Sequence, residues 1–167
     1  MDDQEARSLK NLVLQQDIAA LATLHAGEPS LSMVPYALCA DGREFVIHVS
    51  SLAAHTADML AHPGVGLLIT AARTPAVPAQ AVARLSLQGS ARPCPPGDAS
   101  YAAARAAYLT RFPHSEPMFG FADFALFLIA PHSLRWVAGF ARARSLGADS
   151  YASIMATGSA SPQQQSN

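Results

Sequence analysis

The 167-residue chain carries 11 Lys and Arg against 12 Asp and Glu, a formal net charge of −1. That balance excludes a basic field for nucleic acid, and no polybasic run marks a membrane surface. Half of the residues are hydrophobic and only 14 % are charged. This is enough apolar material for the core of one domain, with a thinly charged surface that suits burial in an oligomer.

Residues 3–16 place Leu9, Val13 and Leu14 near helical spacing and predict an amphipathic helix. A short apolar run at 18–24 and a turn at 25–30 precede an alternating strand at 31–38. There Ser32, Val34 and Tyr36 face one way and Met33, Pro35 and Ala37 the other. Pro35 marks an edge or bulge, because proline donates no ladder hydrogen bond. Ala40, Asp41 and Gly42 signal a hairpin into a third strand at 44–49. Ser50 and Ser51 then read as the N-cap of a helix that Pro63 and Gly64 end. A strand follows at 64–70, then a proline-bearing loop at 71–82 and an alternating strand at 83–91. Asp98 caps a helix over 99–111. Residues 114–121 read as a loop, and runs at 124–130 and 132–138 as a last strand pair broken at Pro131 and His132. About seven strands with helical insertions favour a small barrel over a doubly wound parallel sheet. The barrel domain is expected over 1–147, with 148–167 as a flexible tail.

Cys39 and Cys94 form no CxxC pair and no disulfide framework, so the chain is expected in a reducing compartment, the cytoplasm. The acidic, polar start is unlike a secretory signal, and no apolar run approaches the roughly 20 residues that span a bilayer. Nucleotide, zinc and serine-hydrolase signatures are absent. His55 and His62 stand seven apart on one predicted helix, roughly 10.5 Å along its axis, too far to share one metal ion. A single histidine, His114 or His132, suffices as an axial haem ligand.

Two places invite an anion. The start of the helix after Ser50 gathers Ser51, His55 and Thr56 around free backbone N–H groups, a plausible phosphate seat; the same serines are equally read as simple caps. Arg84 stands in the strand at 83–91 beside Ser86 and Gln88, either on a solvent face or aimed at an anion. The aromatic residues of the last third read mainly as packing.

Taken in order, residues 20–38, the strand–helix at 48–69, ARLSLQGSA at 83–91, residues 108–129 and VAGFARA at 137–143 resemble the pyridoxamine 5′-phosphate oxidase-like superfamily. The likeness runs from Ala6 to Phe140 and is strongest to a small bacterial branch of haem-utilisation or FMN-binding proteins. It implies a mainly β, α+β fold: a six-stranded antiparallel split β-barrel with flanking helices. It also implies a homodimer with FMN at the interface and a small-molecule substrate. By resemblance, Ser32, Met33 and Val34 run along the flavin ring, while Ser50, Ser51, His55, Thr56 and Arg84 hold the phosphate and ribityl chain. Haem is the alternative cofactor. The strand of Ser32 lacks the family's arginine, and Gly64 follows Pro63 where arginine is common. The oxidase C-terminal signature is also missing, so vitamin B6 synthesis is not expected. The activity these features imply is an FMN-dependent oxidoreductase of unassigned substrate. Haem handling, or ligand binding without catalysis, is the other reading.

Overall fold

A computed structural model describes residues 1–140 and 142–156. The first helix, α1 (Asp3–Gln15), is capped by Asp2, whose carboxylate accepts from the Glu5 backbone N–H. Leu9, Leu12 and Val13 bury its apolar stripe in the main core. The strands β1 (Ile18–His25) and β2 (Glu28–Pro35) pair as a tight hairpin. A two-residue strand β3 (Ala37–Leu38) leads to β4 (Phe45–Ser50), α2 (Ala54–Ala61) and β5 (Gly64–Thr70). Next come β6 (Arg84–Pro93), α3 (Tyr101–Arg111) and a 3-10 segment at Pro113–Gly120. The chain continues through β7 (Phe124–Gly139), β8 (Arg142–Gly147) and α4 (Ala148–Ala156).

The strands form one antiparallel sheet in the order β2-β1-β5-β6-β7-β4-β3, with β8 also paired to β7. It curls so that β2 lies against β4 without a ladder between them, giving a split barrel with flanking helices. Its interior is filled by side chains such as Leu21, Phe45, Ile47, Ile69, Leu85 and Trp136. The fold class agrees with the sequence expectation, while the described sheet has eight strands rather than six.

The expected strand pair at 124–138 is one 16-residue strand. Pro131 does not end it, because the register against β6 shifts between Gln88 and Gly89, where Gly89 faces Pro131 and Gln88 faces Ser133. This bulge leaves His132 unpaired and bends the strand. Gly89 is required there: a Cβ would meet the Ala130 carbonyl oxygen at 2.7 Å. The bend lets β7 serve two neighbours, β4 along Phe124–Ile129 and β8 along Ser133–Gly139.

A second correction concerns residues 148–156, expected as part of a flexible tail. They form α4, which buries Tyr151, Ala152 and Met155. Tyr151 stacks on Phe45 with ring centroids 6.1 Å apart. Apolar residues one and four apart suffice for one helical face once a core is present to receive them. Gly42, at φ +69°, closes the neighbouring turn where a Cβ would meet that of Met155 at 2.7 Å. The rest of the expected tail lies outside the described residues.

Glu5 is 3 % exposed and pairs with Arg142 at 3.3 Å and Arg144 at 2.8 Å, fastening α1 to β8. Among the described residues, no helix is long and apolar enough to cross a membrane.

Candidate ligand site

Alternation along β1 sends Ala19, Leu21 and Thr23 inward and leaves Ile18, Ala20, Ala22 and Leu24 on the outer face. Ala20 stands opposite Met33 on one side and Leu68 on the other; Ala22 stands opposite Leu31 and Gly66. Small residues therefore floor a shallow trough between higher rims. The rims are bare: Leu31 is 77 % exposed, Met33 60 % and Leu68 39 %. No described helix covers this face.

At one end the trough opens into a cavity of about 790 Å³ whose walls include Ile18, Met33, Leu68 and Val82, with Arg73 and Arg84 among its few charged groups. Arg84 is half-buried and opposite Thr70 in the ladder. Its Nη1 donates to the carbonyls of Val82 at 3.0 Å and Gln80 at 3.3 Å, which fixes one edge of the guanidinium in place. An apolar recess with two guanidiniums suits a flat, largely apolar molecule bearing carboxylates or a phosphate.

The expected site residues divide between two ends of the barrel. Met33 and Arg84 line the cavity. Ser32 and Val34 point the other way: Val34 belongs to the core, and the Ser32 hydroxyl is buried without a hydrogen-bond partner. Ser50, Ser51, His55 and Thr56 lie at the start of α2, and none of them lines the cavity. The helix leads into Gly64, six residues along β5 from Thr70, roughly 20 Å of strand.

The α2 start also differs from the expected serine-capped turn. Its N-cap is Ala53, with no side-chain bond. The Ser50 hydroxyl donates to Asp123 at 3.2 Å and accepts from the Leu52 N–H. Thr56, buried, donates to the Ser50 carbonyl at 2.7 Å. Ser51 is exposed. Burial, opposed by Asp58, holds the His55 imidazole below the ordinary histidine range, and its Nε2 is buried without a partner. The turn thus offers a His55 ring held toward its neutral form by burial, and a Ser50 hydroxyl already engaged by the Asp123 carboxylate, where a phosphate needs cations. It does not fit the phosphate of FMN well.

Sequence reasoning missed the partner of His25. Asp58, 5 % exposed, accepts from the Thr23 hydroxyl at 2.8 Å and contacts His25 Nδ1 at 2.8 Å. The His25 contact comes first among the causes that keep the Asp58 carboxyl below its usual range. The trio ties α2 to β1, and its members are too far apart in sequence to signal one another. Ile18 and Leu68 were legible as outward residues from alternation; Arg73 carried no signal, standing in a loop. His114 and His132 do not line the cavity. No group of three or more His, Cys, Asp or Glu suited to a metal occurs among the described residues.

Comparison with known proteins agrees with the fold. The family model described as pyridoxamine 5′-phosphate oxidase matches residues 4–138. A chloroplastic haem oxygenase of unorthodox type, HOZ of Arabidopsis thaliana, is 37 % identical over 140 residues, covering 84 % of this chain and 41 % of HOZ. A haem-binding protein from Mycobacterium smegmatis superposes with a TM-score of 0.79 at 29 % identity, covering 89 % of this chain and 60 % of that one. HutZ, a haem storage protein from Vibrio cholerae, shares the fold at a TM-score of 0.67 and 24 % identity, over 77 % of this chain and 91 % of its own. This chain thus spans about two-fifths of HOZ and three-fifths of the mycobacterial protein. It belongs to the pyridoxamine 5′-phosphate oxidase family, among split barrels that include haem-binding and haem-utilising relatives.

Proposed function

We propose that this chain binds haem in the Arg84 cavity as a homodimer, the second copy closing the bare face of β2, β1 and β5. The observation that carries this reading is the trough of Ala20, Ala22 and Gly66 running into an apolar recess with two guanidiniums. A porphyrin is flat and apolar with two propionates at one edge. Arg84 and Arg73 supply charge-assisted donors for those carboxylates, while Ile18, Leu68 and Val82 supply the apolar wall. Of the described lining residues, only Met33 carries a donor atom that haem iron accepts. The named functions of HOZ and the mycobacterial protein favour the same ligand.

Haem supplies the iron chemistry; the protein's part is to orient the ring, neutralise its carboxylates and exclude water. Docking of a second copy removes Leu31, Met33 and Leu68 from solvent, the driving term for association.

Titration of the apoprotein with haemin tests the proposal. A saturable Soret band at one haem per chain is expected, in a dimer by sedimentation, and absence of such a band overturns it. The second reading is an FMN-dependent oxidoreductase acting on a small molecule, favoured by the family match over residues 4–138. Quenching of FMN fluorescence by the protein, with no Soret change on haemin addition, would select it.

A further inference from the structure

A second cavity, of about 340 Å³, lies against a different part of the barrel's outer face and shares no lining residue with the first. It is bounded by β4, β7 and the segment after α3, and its walls include His48, Tyr101, Phe119, Phe121, Phe124 and Leu126. No Asp, Glu, Lys or Arg lines it. Its size lies near the lower end of ligand sites, room for one or two fused rings and too small for a tetrapyrrole.

His48 gives this cavity its chemistry. The residue is 7 % exposed, its Nδ1 is buried without a hydrogen-bond partner, and its side chain makes no hydrogen bond among the described residues. That atom is closed off by its neighbours, so a ligand in the cavity meets the imidazole through its other nitrogen, Nε2, which is not enclosed. The ring is held in place by aromatic neighbours. It stacks on Phe119 with centroids 3.9 Å apart and planes 7° from parallel, and the ring centroids of Tyr108 and Phe124 lie at 5.6 and 5.2 Å. Arg105 sits 5.0 Å from the Phe119 ring and pairs with Glu116 at 3.1 Å, fixing that stack from outside. Burial drives the His48 pKa down to about 4, so near pH 7 the ring is neutral, one nitrogen a donor and the other an acceptor.

We propose that this cavity binds a small, uncharged, planar heteroaromatic molecule, packed among the Phe and Tyr rings and hydrogen-bonded to His48. The aromatic lining selects flat π-systems. The absence of charged walls selects against anions and cations, because an unpaired charge is costly to desolvate. The imidazole distinguishes a ligand with an N–H or ring nitrogen from its hydrocarbon isostere. This site is independent of haem or flavin binding at the Arg84 cavity.

The test uses indole and its isostere indene as probes on the full chain, followed by NMR of the aromatic and histidine ring protons. Indole is expected to shift His48, Tyr101 and Phe119 saturably and to bind about threefold to tenfold tighter than indene, the contribution of one hydrogen bond. His48→Phe, which keeps the stack, is expected to abolish that preference. Should the variant not fold, the wild-type His48 Hε1 resonance gives the same answer directly. Equal affinity for the two probes, shifts centred on Met33 and Arg84, or no saturable shift would each overturn the proposal.

Discussion

The two outer faces of the sheet follow the same alternation, yet only one carries its own cover. Over β3, β4 and β7, the helix α3 lays Ala104, Tyr108 and Phe112 onto Ala37, Val46, Leu126 and Leu128, forming a second small core. Over β2, β1 and β5, equally apolar outward residues meet solvent. An apolar outer face closed by the chain's own helix is a folding device. The same face left bare is a place for another molecule.

Paired substitutions test this contrast most strongly. Tyr108→Ala on the covered face is expected to cost about 3–5 kcal/mol of stability by chemical denaturation, as for other buried aromatic truncations. Leu31→Ser on the bare face should cost less than about 0.5 kcal/mol and instead shift the sedimentation profile from dimer to monomer. Similar losses of stability at both positions would erase the distinction between the faces.

A pH experiment sharpens it from the covered side. The folded His48 pKa of about 4 lies below the ordinary 6.5. Between those values the unfolded chain binds a proton that the folded chain refuses, so stability falls as pH falls. The contribution is full above about pH 6.5 and is lost progressively toward pH 4, on the order of 3 kcal/mol in all. His48→Phe should flatten that slope in pH-dependent unfolding.

On the bare side, Arg84→Ala is expected to weaken haemin affinity by about tenfold or more, one charge-assisted bond, in a Soret titration, with the unfolding midpoint nearly unchanged. The smallest effect belongs to Asp58. Its depressed carboxyl pKa adds stability that is present above about pH 4 and lost on further acidification. Asp58→Asn should therefore lose part of the acid limb of the unfolding curve and leave the dimer intact.

Much of the barrel was legible because strand signals are local: β6 follows from its alternation, β1, β4 and β5 from short apolar runs bounded by turns, and α1 from its helical stripe. What failed was non-local. Pro131 looks like a strand break, and only the Gly89 bulge on a neighbouring strand makes it tolerable. Tyr151 and Met155 look sparse in a polar stretch until Phe45, over a hundred residues earlier, supplies the surface that receives them. At the site, Met33 and Arg84 do meet at one cavity. The inward direction of Ser32 and Val34 was already implied by their alternation with Met33. The Asp123 carboxylate beside Ser50 comes from a loop 73 residues away and had no sequence signal near the helix start.

The Glu5 clamp bears on how the chain matures during synthesis. An acidic side chain in the opening helix finds its two arginines only on β8, near the end of the described chain. While the ribosome is still delivering the middle strands, that helix can coil but has no counter-charge with which to dock. Final docking of that helix is thus expected to await the last strand, a late step after the barrel's own ladders have formed.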